Sequence, residues 1–229
     1  MVGDHPRHVG RPAGRPAPHP AVHISKWPVV LALLALGGVY LYLPAGMIVG
    51  PRWLLLAIEA PVVIFFIVAH RINLPIRPLH VRALVVAMLG VATLLIALSI
   101  AQLLGALLRD RIKAQPLLGA ATGLWASNVL IFALWYWEID CGGPHRRHAS
   151  APSEPDFLFP QQSGPDIGPK DWMPEFVDYL FVAFTSATAF SPTDTLPLTR
   201  RVKALLMVQE LSSLVMVAVL AARAINVLP

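Results

Sequence analysis

Three polar side chains stand inside long apolar stretches of the sequence, where a polar group is costly and suggests a function by default. They are Glu59, Asn128 and Glu210. Glu59 precedes Pro61 by two residues, and a proline within a helix leaves a backbone carbonyl without its usual donor. If the three side chains face one hydrated path, they could handle a cation or a proton. The alternative is that neighbouring helices bind each of them, so that they only stabilise packing.

A second group of polar residues is concentrated between positions 185 and 195. It consists of hydroxyl side chains and one carboxylate: Thr185, Ser186, Thr188, Ser191, Thr193 and Asp194. These residues end a short apolar stretch, 176–190, and precede a long one, 202–228. Fifteen residues of helix rise only about 22 Å, whereas the hydrocarbon layer is about 30 Å thick. The short stretch is therefore a candidate re-entrant helix, with residues 186–195 at a constriction.

The elements around this group follow the order long helix, aqueous loop, short helix, polar turn and long helix, which is the order in pore-loop channels. The segment from Phe176 to Thr199 resembles the pore helix and filter of potassium channels. The two patterns align without a gap. The acid before the pore helix falls on Asp178, the filter-entry threonine on Thr188 and the filter-following aspartate on Asp194. The downstream proline and threonine fall on Pro197 and Thr199. Together with the last helix, the resemblance covers residues 175–229, under a quarter of the chain. It implies a homo-oligomer, a tetramer if the chain is built as those channels are.

The same segment departs from potassium channels at the centre of the filter. Ser191, Pro192 and Thr193 stand where those channels carry Gly-Tyr-Gly. Potassium filters line the pore with backbone carbonyls, and the alternating backbone depends on glycine. Because Pro192 fixes its φ angle and lacks an amide donor, we expect a channel-like pore without potassium selectivity. The whole chain also resembles uncharacterised bacterial multi-span integral membrane proteins, and that resemblance implies no particular activity.

The composition indicates that these residues act within a lipid bilayer. Of 229 residues, 56% are hydrophobic and 14% are charged, whereas soluble domains carry about 25% charge. Apolar stretches of spanning length predict an all-α, polytopic membrane bundle with the lipid bilayer as its partner: 27–47, 53–69, 83–108, 117–137 and 202–228. The prediction is five transmembrane helices plus a short re-entrant or sixth helix. Prolines and glycines between the first two spans favour an antiparallel hairpin.

Four regions follow from the changes in composition along the chain. Residues 1–26 are basic and rich in proline, and they predict a disordered tail. Residues 27–137 form a four-helix transmembrane region, and residues 138–174 form an aqueous loop rich in proline and glycine. Residues 175–229 form a helix-turn-helix resembling a pore domain.

Lysine and arginine positions bear on the orientation in the cell membrane. With a cytoplasmic N-terminus and a re-entrant segment, 13 of the 18 basic residues lie inside and five outside. If residues 174–190 cross the membrane instead, the count is 11 against seven. A conventional channel, whose pore loop enters from outside, would reverse the first count. Both arrangements stay open at this point, with six hydrophobic helices and a cytoplasmic N-terminus slightly preferred.

Several classes of function are disfavoured by the sequence. One cysteine excludes an intramolecular disulfide, and the positive-inside rule explains the basic residues better than nucleic-acid binding does. Nucleotide-binding, hydrolase and zinc-protease motifs are missing, so we expect no enzyme and no cofactor. His145 and His148 have a spacing that could share a metal in a helix, but Gly142, Gly143 and Pro144 argue against a helix there.

Three functions remain as hypotheses. The first is an oligomeric pore that passes an ion or a small solute. The second is a non-conducting membrane scaffold or partner-binding protein that has lost the filter. The third is a proton-coupled transporter that uses Glu59 and Glu210.

Overall fold

The computed structural model describes residues 27–71, 78–108, 114–147, 154–164, 172–192 and 194–225. The described chain is mainly helical, with two short strands. The helices are α1 (Trp27–Tyr42), α2 (Leu54–Arg71), α3 (Pro78–Leu108), α4 (Ala114–Ile139), α5 (Pro144–Arg147), α6 (Phe176–Ala189) and α7 (Arg200–Ile225). The strands are β1 (Phe157–Leu158) and β2 (Leu196–Pro197). The predicted tail, residues 1–26, lies outside the described residues.

Three helical segments among the described residues are long and apolar enough to cross a bilayer: Arg82–Ala106, Pro116–Gly142 and Arg200–Ala222. Three shorter apolar segments accompany them: Pro28–Tyr42, Leu54–Phe65 and Phe176–Ala189. The prediction of a helical membrane protein is confirmed to this extent. Of the five predicted spans, those of α3, α4 and α7 reach full length within the described residues.

The first two helices form the predicted antiparallel hairpin. Pro44 and Pro51 interrupt the helical path between them, and Gly50 adopts a positive φ of 79°, a conformation that glycine adopts without a steric cost. The Tyr40 hydroxyl donates to the Val49 carbonyl at 2.8 Å, which ties this turn to α1. Farther from the turn, Gly37 of α1 faces α2 directly.

Helix α4 is the centre of the bundle and packs against α1, α3, α6 and α7. Its buried face includes Leu124, Phe132 and Tyr136. At Gly123 a Cβ atom would lie 3.2 Å from Val39 Cγ1 and 3.3 Å from Leu43 Cδ2. The glycine therefore lets the last turn of α1 approach α4 closely.

The bundle has two ends, which we name by what they carry. The loop end holds the C-terminus of α4 and the starts of α6 and α7, which are joined through contacts of Asp140 and Asp156. It also holds the start of α3, because a Cβ at Gly143 would lie 3.6 Å from Arg82 Nε. The turn end holds the turn between α1 and α2, and this turn contacts α3.

Strands β1 and β2 show how α6 is placed between these ends. Phe157 pairs with Pro197 and Leu158 with Leu196, so the segments before and after α6 meet at the loop end. The other end of α6 lies at half the depth of α7, where Ser213 bonds to the Ala187 carbonyl. Whether α6 re-enters or crosses a membrane stays a prediction.

The expectation against a helix around His145 was wrong, because α5 begins at Pro144. Proline suits the first position of a helix, since that position needs no amide donor and the fixed φ is already helical. Positive φ values at Gly142 and Gly143 separate this single turn from α4. His148 lies outside the described residues.

Candidate functional site

Helix α6 is a short amphipathic helix with clear ends. The backbone amide of Glu175 donates to Asp178 Oδ2 at 2.7 Å, so the acid that matches the potassium-channel pattern caps the helix start. At the other end, Phe190 takes a left-handed conformation with φ 52° and ψ 37°, which commonly terminates helices. The chain then runs from Phe190 toward β2 at the loop end. We call residues 190–192 and 194–196 the return segment.

The candidate constriction residues differ in burial. Thr185 and Ser186 are buried, whereas Thr188, Ser191 and Asp194 are exposed. The Thr185 hydroxyl donates to the Phe181 carbonyl at 2.9 Å, and that of Thr188 donates to the Phe184 carbonyl at 2.9 Å. Thr193 lies outside the described residues. The exposed hydroxyl and carboxylate groups therefore lie on the return segment and on the end of α6 next to it.

Gln209 of α7 is the centre of a buried hydrogen-bond network that joins three helices. Its side-chain amide donates to the Ala183 carbonyl of α6 at 2.7 Å. Its side-chain oxygen accepts from the Tyr136 hydroxyl of α4 at 2.5 Å. Asn128 of α4 donates to the Gln209 backbone carbonyl at 3.3 Å. The network fixes the position of α6 between α4 and α7.

A second set of contacts anchors the last turn of α6. The final carbonyls of a helix have no intrahelical partner. Here the Ala187 carbonyl accepts from the Ser213 hydroxyl at 2.8 Å and from Trp125 Nε1 at 3.4 Å. Both donors come from long helices, so the inner end of α6 is bound by α4 and α7 at mid-depth.

Asp140 organises the loop end. Its Oδ1 accepts from the backbone amides of Asp156 at 2.8 Å and Phe157 at 3.3 Å. Its Oδ2 accepts from the Tyr179 hydroxyl at 2.5 Å. One carboxylate thus joins the end of α4, strand β1 and the first turns of α6.

Arg147 completes the surroundings of Asp140. Its Nε lies 3.6 Å from Asp140 Oδ2, and its Nη2 donates to the Trp137 carbonyl at 2.7 Å. The guanidinium carbon lies 4.6 Å from the centre of the Trp137 ring and 4.9 Å from that of Tyr179. Aromatic faces attract a cation in this arrangement, so a buried charge is stabilised by one carboxylate and two rings.

Asp156 makes the corresponding connection to α7. Its Oδ1 accepts from the Thr199 hydroxyl at 2.5 Å and from Arg201 Nε at 2.7 Å. Its Oδ2 accepts from Arg201 Nη2 at 2.5 Å. We call Asp140, Arg147, Asp156, Tyr179, Thr199 and Arg201 the loop-end clasp. The clasp holds both flanks of α6 in place.

The three intramembrane polar residues do not share one set of contacts. Glu59 of α2 is fully buried against Gly37 of α1. Asn128 donates to the backbone of α7, which agrees with the alternative that neighbouring helices bind these side chains. Glu210 is partly exposed on α7. A common hydrated path through all three therefore stays a prediction.

Sequence reasoning missed Gln209 and the loop-end clasp. The sequence does carry a signal for Gln209, because it is an amide within an apolar stretch, next to Glu210. Asp140 and Asp156 are acidic residues in a polar stretch, and the sequence near them does not indicate which distant residues they bind. Among the described residues, no group of three or more histidine, cysteine, aspartate or glutamate side chains is placed to hold a metal.

The described contacts define a helical bundle in which the short helix α6 is held between the long helices α4 and α7, and three of its helices are long and apolar enough to span a membrane. Comparisons of the chain with protein-family models, with curated proteins and with solved structures find no match.

Proposed function

We propose that the chain is one subunit of an oligomeric membrane pore that passes ions or small solutes. In this proposal α6 enters the membrane from the loop end, and residues 186–195 form the constriction. The observation that carries it is the pairing of β1 with β2, together with the mid-depth anchoring of Ala187. These contacts support a return segment that runs from mid-depth back to the loop end.

The exposure of the return segment supports an oligomer. Irregular backbone at membrane depth is tolerated where it is buried in protein or lines a water-filled cavity. Ser191 and Asp194 are exposed in the single chain, so lipid would meet polar groups if the chain stayed alone. Copies arranged around an axis would cover the segment and enclose a polar path. The resemblance to potassium channels makes a tetramer the expected assembly.

The proposal includes five membrane spans, α1 to α4 and α7, with α6 re-entrant. With this arrangement the charge count is 13 basic residues on the loop-end side and five on the other side. The positive-inside rule then orients the loop end and the N-terminus toward the cytoplasm of the cell membrane. The pore segment would enter from the cytoplasmic face, opposite to a conventional potassium channel.

Flux through reconstituted protein tests the proposal. We expect liposomes with the wild-type protein to pass an ion or solute, and Asp194→Asn to reduce cation flux because it removes exposed negative charge from the constriction. Thr188→Ala should change the flux as well. Glu154→Gln is the matched control, since Glu154 is an exposed carboxylate of the loop end that does not belong to the return segment.

Absence of flux for a panel of cations, anions and small neutral solutes would overturn the pore. Oligomeric state provides a second measurement, by cross-linking and by mass in nanodiscs. Several copies are expected, because one return segment encloses no path. A strict monomer would also contradict the proposal.

One observation favours the second candidate, a non-conducting scaffold. Thr185 and Ser186 are turned into the bundle, and Pro192 occupies the filter-like position, so few groups remain to replace the hydration of an ion. A scaffold predicts an oligomer or a partner complex without flux. The same reconstitution therefore separates the two candidates.

A further inference from the structure

The hairpin of α1 and α2 contains a buried carboxyl group that the proposed pore does not use. Glu59 is 0% exposed, and neither of its oxygens has a hydrogen-bond partner among the described residues. An ionised carboxylate without partners is strongly disfavoured in an apolar interior, and such a group takes up a proton instead. The burial alone therefore points to the neutral acid.

The opposing helix is shaped to receive this side chain. A Cβ atom at Gly37 would lie 2.7 Å from Glu59 Oε2 and 2.3 Å from Leu56 Cδ2. Any side chain at this position would force Glu59 or Leu56 to shift. The carboxyl therefore lies directly against the backbone of α1, in the space that Gly37 leaves open.

Among the residues that the structure describes, no charged group of the neighbouring elements forms an ion pair with Glu59. On α1 the titratable side chains are Tyr40, whose hydroxyl donates to Val49, and the exposed Tyr42. On α3 they are His80 and Arg82, which lie near the loop end. The two ion pairs of the described residues are Arg147 with Asp140 and Arg201 with Asp156. On α2 itself, His70 and Arg71 belong to the opposite end of the helix, and the exposed Arg52 lies in the turn.

We propose that Glu59 is a proton-binding site between α1 and α2, which exchanges its proton with water at the turn end. Glu59 lies five residues after Leu54, where α2 begins, about 8 Å along the helix axis. Side chains on a helix lean toward its N-terminus, so the carboxyl leans toward the turn, where Gly50 and Arg52 are exposed. The Ala57 carbonyl, which loses its donor at Pro61, adds an acceptor on the same stretch.

Dicyclohexylcarbodiimide, a lipid-soluble carbodiimide, tests the site directly. It reacts with a protonated carboxyl in an apolar environment: the acid proton moves to one carbodiimide nitrogen, and the carboxyl oxygen bonds to the central carbon. The adduct rearranges to a stable N-acylurea, which mass spectrometry locates in the peptide. We expect modification at Glu59 in the reconstituted wild-type protein. Above the midpoint of titration, the rate should fall about tenfold for each pH unit.

Two controls accompany the labelling: the variant Glu59→Gln and the second membrane carboxyl, Glu210. Glu59→Gln should keep the fold, because a neutral amide replaces a neutral acid of the same shape, and it should lose this modification. Glu210, the partly exposed carboxyl of α7, shows whether the reagent reaches the membrane interior. Modification of Glu210 without any at Glu59, or a rate at Glu59 that is independent of pH, would overturn the proposal. Because the readout is covalent labelling, it can fail or succeed independently of pore flux.

Discussion

At the scale of single residues, buried amides and carboxylates decide where the short helix α6 lies. The amide of Gln209 has a donor and an acceptor on one rigid plane, and it uses them on two different helices. A hydrophobic side chain at this position could fill the space but could not set the register of α6 against α4. Specific hydrogen bonds, added to apolar packing, therefore position the candidate constriction.

Gln209→Leu should destabilise the protein by about 1–2 kcal/mol, because it leaves the buried Tyr136 hydroxyl without its acceptor. Tyr136→Phe added to Gln209→Leu should cost less than the sum of the two single changes, since it removes the orphaned hydroxyl. Reversible unfolding in mixed micelles measures all three variants. Glu210→Gln, at the partly exposed neighbouring position, is the control and should change stability little. Strict additivity would show that the two side chains do not interact.

At the scale of elements, the loop-end clasp connects the described part of the loop rich in proline and glycine, through Asp156, to α4 and α7. Asp156 is 0% exposed, and its carboxylate joins β1 to the first turn of α7. The Asp156 backbone carbonyl also accepts from the Leu198 amide at 2.8 Å. Asp156 therefore holds the segment before α6 and the segment after it together.

Asp156→Ala should release the end of the return segment, because it removes the acceptor of Thr199 and Arg201 together. We expect the Leu198 amide to exchange its hydrogen at least about tenfold faster, as local opening becomes easier. Hydrogen exchange followed by mass spectrometry in nanodiscs measures this. Arg200→Gln serves as the control, since Arg200 is exposed beside the clasp. Unchanged exchange at Leu198 in Asp156→Ala would show that strand pairing alone holds the segment.

The helices, and a short helix at 176–190 as a re-entrant candidate, could be predicted from the sequence, whereas the contacts of the clasp could not. Apolar stretches of spanning length and breakers such as Pro44 and Pro51 are local signals, so helix bounds came within a few residues. The placement of α6 depends on contacts between distant residues: Tyr179 with Asp140 and Arg201 with Asp156. Side chains of these types occur in any loop or helix end, and only the folded chain shows which of them meet.

At the scale of the whole molecule, the two ends of the bundle differ in chemistry. The loop end carries the clasp, the exposed Arg200 and Lys203, and the starts of α6 and α7. The turn end carries the α1–α2 turn and lies nearer to Glu59. The side from which the proposed pore segment enters the membrane and the side toward which the proposed proton site opens would therefore be opposite faces of the membrane.

Site-directed labelling tests this two-faced arrangement. Cys141 is buried and should react poorly, so Cys141→Ser provides the background for two single-cysteine variants. Arg52→Cys places a thiol at the exposed turn end, and Glu154→Cys places one at the exposed loop end. From the charge count, a membrane-impermeant maleimide should label Arg52→Cys in intact cells and Glu154→Cys only after permeabilisation. The reverse pattern would give the protein the orientation of a conventional channel, and labelling of both variants from one face would contradict the fold itself.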